Sequence, residues 1–285
     1  MQTCAQLQPP ARRAPVRART GRVCAGAVAS MIALTALACA GGQTADEQRA
    51  EQADLHFRLA TGYFHEGQVD LTVRELTQAL EAQPNHADAH YLFGFVLFGR
   101  KEFELAADHF RLALKARPSF FAARNHLGAT LIELERWRDA ITVLEPLLRE
   151  PTYTTPYLVH NNLGWAWLKL GGLAKADEHL RMAVFLNPEF CNGHRNLGLL
   201  ALQRRDPAAA VEHMTEATRR CPQFAELHLQ RAEALQAAGR LDDAHAALRK
   251  CAELAGDSQL GRRCRTRLGP AATAKEGGDH ARLLP

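Results

Sequence analysis

Nowhere in this 285-residue chain do apolar and polar residues alternate with the two-residue period of a half-buried strand. That excludes sandwiches, barrels and βαβ units as its architecture. Catalytic signatures are missing as well. There is no H-E-x-x-H, no glycine loop to cradle a phosphate and no G-x-S-x-G elbow, so zinc proteases, P-loop enzymes and α/β-hydrolases drop out. Asp242, Asp243, Asp206 and Glu66 fall at expected turns between helices, where solvated caps are the default. The chain therefore reads as non-enzymatic, with no cofactor and no metal. Seven cysteines contain no C-x-x-C, which leaves a redox-active or zinc-binding pair without support.

No acidic residue precedes Asp46. Arg12, Arg13, Arg17, Arg19 and Arg22 form a basic opening, and an apolar run of 16 residues, Val23 to Ala38, follows it. That run is short for a bilayer span and suits the core of a signal peptide. Residues 1–38 are read as that signal, and its long basic region points to a start codon downstream of Met1. Its removal takes five arginines and turns the net charge from +4 to −1, with 30 basic against 31 acidic residues. The basic balance belongs to targeting and speaks against nucleic-acid binding.

What recurs is proline. Pro84, Pro118, Pro188 and Pro222 are spaced by 34, 70 and 34 residues, so the long gap holds two units and a two-residue insertion. Counting each unit from three residues after the previous proline aligns Phe93-Gly94, Ala106, Phe110, Ala113 and Pro118 with Leu163-Gly164, Ala176, Leu180, Ala183 and Pro188. It also aligns them with Leu197-Gly198, Ala210, Met214, Ala217 and Pro222. These are positions 7, 8, 20, 24, 27 and 32. Leu59-Ala60 with Leu76, Leu127-Gly128 with Leu144, and Ala232 with Leu248 extend the pattern to six units. Small residues at 8 and 20 let two helices approach, large ones at 7 and 24 fill between them, and proline at 32 ends the second helix.

A 34-residue period with this pattern resembles the tetratricopeptide repeat (TPR). The resemblance covers 53–256 as repeats 53–86, 87–120, 121–156, 157–190, 191–224 and 225–256. It implies an all-α, right-handed superhelical solenoid of six helix hairpins, with a capping helix over 257–268 and a disordered tail over 269–285. Ala36-Leu37-Ala38-Cys39 resembles a lipoprotein cleavage site, so Cys39 is the expected lipidation point and 39–52 a tether. Ala36-Leu37-Ala38 also suits ordinary signal cleavage, which leaves a soluble periplasmic form as the alternative. Ala40 rather than aspartate after the cysteine implies, by lipoprotein sorting rules, the outer membrane.

Within TPR geometry, Cys191 opens the first helix of repeat 5 and Cys221 ends its second. The two ends of an antiparallel hairpin meet there, which favours a bond between them over the other pairings open to four cysteines. Cys251 faces the following segment, which carries Cys264. Free buried cysteines acting as small hydrophobes are the alternative for both pairs. His56, His90, His160, His194 and His228 all occupy position 4, with Arg124 in that slot of repeat 3. Stacked repeats set equivalent positions on the order of 10 Å apart, far beyond the roughly 2 Å of a zinc–nitrogen bond, so packing is their expected role.

The resemblance further implies a concave groove lined by positions 2, 5, 6, 9 and 12 of each first helix. Its N-terminal zone holds Phe57, Phe64, Tyr91, Phe95 and Phe98. Its central zone holds Asn125, His126, Asn161, Asn162, Arg195 and Asn196, with Trp165 beside them. Asparagines one repeat apart can hold an extended peptide by its backbone amides, and aromatics supply anchors. Alternatively the asparagines bond neighbouring helices and some aromatics belong to the core. The lysine pair of chaperone-tail clamps is absent. Signal, lipid cysteine, short tether and six repeats together resemble the TPR-type pilotin lipoproteins of type IV pilus biogenesis. That resemblance implies a monomeric lipoprotein on the periplasmic face of the outer membrane, which binds secretin subunits through an extended segment and helps them assemble. A TPR scaffold for envelope enzymes and a non-lipidated periplasmic chaperone are the rival readings.

Overall fold

The computed structural model describes residues 44–269. The segment read as a signal, Cys39 and residues 270–285 lie outside the described residues. Among those described there are 13 α-helices, one 3₁₀ segment and no strand. They run as antiparallel hairpins: α1 (Ala45–His65) with α2 (Val69–Ala82), α3 (Ala87–Gly99) with α4 (Phe103–Ala116), and α5 (Phe121–Glu133) with α6 (Trp137–Leu144). Next come α7 (Pro156–Lys169) with α8 (Leu173–Leu186), α9 (Cys191–Gln203) with α10 (Pro207–Arg220), and α11 (Ala225–Ala237) with α12 (Leu241–Ala255). Helix α13 (Gln259–Leu268) packs on α12.

Each hairpin closes on one repeated contact. Position 24 carries Leu76, Phe110, Leu144, Leu180, Met214 and Leu248, all fully buried. The small residue at position 8 makes room for it. A Cβ built on Gly128 would lie 2.4 Å from Leu144, and one on Gly164 would lie 2.6 Å from Leu180. Position 20 is Thr72 or an alanine in every repeat, and none of the six is exposed. The turn between the helices is equally regular. Position 15 has a positive φ in all six repeats: Gly67, Lys101, Glu135, Gly171, Arg205 and Gly239. Three repeats use glycine for this left-handed corner, and three hold a larger residue there at a cost on the order of 1 kcal/mol. Second helices stop where the residue before the proline is forced extended, at Gln83, Arg117 and Asn187.

Two stretches differ from the sequence reading. Helix α1 begins at Ala45, inside the segment read as a tether over 39–52. Ala45 to Gln52 are almost all strong helix formers, acids sit in the first turn, and Asp46 pairs with Arg49 at 3.3 Å, so the first helix simply extends toward the N-terminus. In repeat 3 the second helix breaks at Leu144 into a 3₁₀ segment, Glu145–Arg149, because Pro146 cannot donate to the α ladder.

Two disulfides bind the C-terminal hairpins. Cys191 pairs with Cys221 and Cys251 with Cys264, with Cα atoms 6.0 and 6.1 Å apart. Cys251 occupies position 27, an alanine in four of the other repeats, and its bond fastens α12 to α13.

Position 4 has a structural task. The Nε2 of His90, His194 and His228 bonds the carbonyl of Pro84, Pro188 and Pro222 at 2.9–3.1 Å. Arg124 does the same to Pro118 at 3.1 Å. The side chain thus satisfies a carbonyl of the turn that leads from one repeat into the next. At His90 the other ring nitrogen then accepts, whereas Nδ1 of His194 and of His228 is buried without a hydrogen-bond partner among the described residues. His109 Nδ1 approaches His90 Nδ1 at 3.1 Å, and His179 Nδ1 approaches His160 Nδ1 at 3.0 Å. Two imidazoles in such contact are held neutral, and burial first, then the facing ring, pushes His109 and His160 down to about 4. Among the described residues no three His, Cys, Asp or Glu side chains cluster as metal ligands. The folded pKa values lie below the unfolded value of about 6.5, so this stability is complete above pH 6.5 and lost as pH falls toward 4. The urea midpoint is expected to drop between pH 7 and 4.5, with a smaller drop in a His109→Leu/His179→Leu variant. Equal drops in both proteins would assign the effect elsewhere.

Candidate protein-binding groove

First helices touch the first helices of adjacent repeats, whereas second helices make no comparable contacts with one another. The first helices therefore line the inside of the curve. Along that inner face one contact repeats from hairpin to hairpin, joining position 5 of one first helix to position 6 of the next. Tyr91 Oη meets His126 Nδ1 at 3.4 Å. Asn162 Nδ2 donates to Asn125 Oδ1 at 3.4 Å, and Asn196 Nδ2 donates to Asn161 Oδ1 at 2.8 Å. Arg195 Nε donates to Gln230 Oε1 at 2.8 Å, and Gln230 Nε2 in turn donates to Glu226. Lateral bonds connect the rungs: Asn161 reaches Asn162 at 3.5 Å, and Arg195 Nη1 reaches Asn196 Oδ1 at 3.2 Å. The result is a polar seam from α3 to α11.

This revises the expected role of the asparagines. Asn125, Asn161 and Asn196 are buried, and their amides bond neighbouring first helices rather than lying open to a peptide backbone. Asn162, half-buried, belongs to the same seam. The physical reason is that stacked repeats bring positions 5 and 6 within hydrogen-bond reach, and a buried amide without a partner is costly. Asn196→Ala is expected to destabilise the protein by about 1–3 kcal/mol, because Asn161 Oδ1 loses its donor. Asn161→Leu/Asn196→Leu, which removes both members, is expected to cost less, as read by denaturant midpoints. A single substitution milder than the double would refute the seam.

The aromatics divide. Tyr91 packs on Phe110 and Phe120 with centroids 6.0 and 4.8 Å away, and burial pushes its hydroxyl up to about 12. Phe57 lies against His86 at 5.2 Å and Phe98 against Phe103 at 5.4 Å. These three serve the hairpins. Phe64 and Phe95 instead meet edge to face at 5.8 Å across the first two repeats, and Phe95 meets His126 at 5.4 Å. All are half-buried, so Phe64, Phe95 and His126 form a continuous aromatic row over three first helices.

Further along, half-buried Trp165 lies under two cations. Lys169 Nζ is 4.8 Å from its ring centroid and Arg195 Cζ is 5.7 Å from it. Burial lowers the pKa of Arg195, with Glu226 opposing the shift. Lys169 and Gln230 were absent from the expected groove. Position 6 of repeat 6 is Gln230, but Lys169 stands at position 13, one residue beyond the last position considered.

The TPR family model matches residues 57–119 and 195–258. The type IV pilus assembly protein PilF of Pseudomonas aeruginosa is 29% identical over 178 residues, covering 61% of this chain and 68% of that protein. The solved structure of PilW, described as a widely conserved type IV pilus biogenesis factor, superposes with a TM-score of 0.67 at 20% identity, over 74% of this chain and 97% of that one. The structure of Pseudomonas aeruginosa PilF superposes with a TM-score of 0.62 at 23% identity, over 77% and 99%. At these identities the two structures show a shared fold. The chain thus carries tetratricopeptide repeats where that model matches, is similar in sequence to PilF and shares the fold of both pilus proteins.

Proposed function

We propose that this TPR chain is a non-catalytic, protein-binding component of type IV pilus assembly. Its groove holds an extended segment of the pilus secretin, and a lipid on Cys39 keeps it at the periplasmic face of the outer membrane, where it helps the secretin assemble. The observation that carries the reading is the similarity to PilF across 178 residues, just over five repeats of the solenoid. The half-buried row of Phe64 and Phe95 and the ring of Trp165 on the inner face suit it, because buried aromatic anchors are prominent among the few residues that dominate binding at protein interfaces. The lipid assignment rests on the apolar run that ends at Cys39. A thioether-linked, multiply acylated cysteine anchors far more firmly than a single chain.

The test is recovery of the secretin from detergent-solubilised envelope with the tagged full chain. Phe95→Ala/Trp165→Ala is expected to stay folded and lose about 30-fold or more in affinity, the scale of one hot spot. Cys39→Ala is expected to leave a soluble or uncleaved form. Normal secretin multimers and surface pili in the double groove variant would sink the partner assignment, and equal outer-membrane recovery of Cys39→Ala would sink the anchor.

A further inference from the structure

Helices α7 and α9, the first helices of repeats 4 and 5, contain no Asp or Glu, and Lys169 and Arg195 are their only Lys or Arg residues. Elsewhere on the first helices, carboxylates have partners of their own. Asp54 meets His86 at 2.9 Å, Asp88 pairs with Arg117, and Glu233 pairs with Arg263 and Arg267 of the capping helix. Glu133 ends α5 within electrostatic reach of Lys101. Glu226 is felt by Arg195 but accepts from Gln230, and no carboxylate comes within ion-pair distance of Lys169 or Arg195 among the described residues. Two cations therefore converge on the Trp165 ring with no anion to complete them.

Arg195 is also held in place. Its Nε is committed to Gln230 and its Nη1 to Asn196, whereas its second Nη makes no hydrogen bond among the described residues. A guanidinium fixed by the seam needs little further ordering to receive a carboxylate, which is what preorganisation contributes to binding. The cation–π contacts orient both charges without neutralising them.

We infer that the groove reads an extended polypeptide segment by two points, an apolar side chain at the Phe64–Phe95 row and an acidic side chain received by Lys169 and Arg195 at Trp165. The inference rests on the reading of this groove as a partner-binding site. Helices α3 and α7 are two repeats apart, roughly 20 Å at the usual helix-to-helix distance of about 10 Å. An extended chain covers that with about six residues at roughly 3.3 Å each. The recognised segment thus carries an aromatic or aliphatic residue and, about six positions away, an aspartate or glutamate.

The probes are two fluorescein-labelled nine-residue peptides, each with Phe-Leu followed by five Gly/Ser residues. One ends in Asp-Glu and the other in Asn-Gln, with amidated C-termini. Fluorescence anisotropy with the full chain is expected to show the acidic peptide binding roughly tenfold tighter at low salt, the size of one charge-assisted contact. The preference is expected to shrink in 300 mM salt, as about 3–10 Å screening lengths require. Because Arg195 also serves the seam, Lys169→Gln is the diagnostic variant. It is expected to keep its circular dichroism and lose most of the preference. Equal binding of the two peptides, an unchanged preference in Lys169→Gln, or no binding of either peptide overturns the inference. So does capture of phosphatidylglycerol vesicles in place of the acidic peptide. Loss of secretin capture in Phe95→Ala/Trp165→Ala together with normal capture in Lys169→Gln would overturn the acidic contact and leave the partner assignment standing.

Discussion

Leu144→Ala is expected to cost about 2–5 kcal/mol of stability, Gly128→Ala about 1–3 kcal/mol, and the two together clearly less than their sum. Leu144 is fully buried at position 24 of repeat 3. A Cβ on Gly128 would sit 2.4 Å from its Cγ and Cδ2 and 2.9 Å from its Cδ1. The three nearest atoms all belong to that leucine side chain, and being enclosed it has nowhere to swing. The helix-propensity gain of alanine over glycine, about 1 kcal/mol, does not offset such an overlap. Truncating Leu144 vacates the volume that the new methyl would enter, so each change relieves the other, with a coupling of roughly 0.5–3 kcal/mol expected for residues in direct contact. Denaturant melts of the four proteins, with hydrogen exchange in α5 and α6 to localise the effect, measure it. Strict additivity would mean that glycine at position 8 is there for some other reason.

Reducing the Cys191–Cys221 bond is expected to remove roughly 3–4 kcal/mol, by the chain-entropy estimate for a loop of that size. The bond closes 30 residues, an entire hairpin, whereas Cys251–Cys264 closes 13 and by the same relation contributes roughly 3 kcal/mol. Repeats in a solenoid lean only on their neighbours. The loss should therefore appear in α9 to α13, with α1 to α6 barely altered. Cys191→Ser is expected to reproduce the loss for the first bond and to be insensitive to further reduction there. Hydrogen exchange with and without reductant reads both the size and the location. Peptide mapping of the oxidised protein that found Cys191 and Cys221 as free thiols would end the claim.

The hairpins themselves are legible in the sequence because their cause is local and repeated. A glycine or alanine at position 8 and a bulky residue at position 24 must face each other wherever two helices of this length are joined by a short turn. The closing prolines mark where four of the six pairs end. The N-terminal extension of α1 over Ala45 to Gln52 could have been found the same way, from helix formers uninterrupted by glycine or proline. Pro146 likewise announces the break in repeat 3.

The inner face is different. Asn125, Asn161 and Asn196 occupy positions that a one-dimensional repeat assigns to the groove, and nothing in their spacing says whether their amides point at a ligand or at each other. The distance between successive first helices decides it. Partners in the seam are 35 residues apart at Asn161–Asn196 and Arg195–Gln230, but 37 apart at Asn125–Asn162, since repeat 3 is two residues longer. The register of position 5 on position 6 survives that insertion because helix stacking, rather than the count of residues between, sets it. A repeat pattern assigns each side chain its place within a hairpin. A hydrogen bond depends on fractions of an ångström between hairpins, and those are fixed only when all six have stacked.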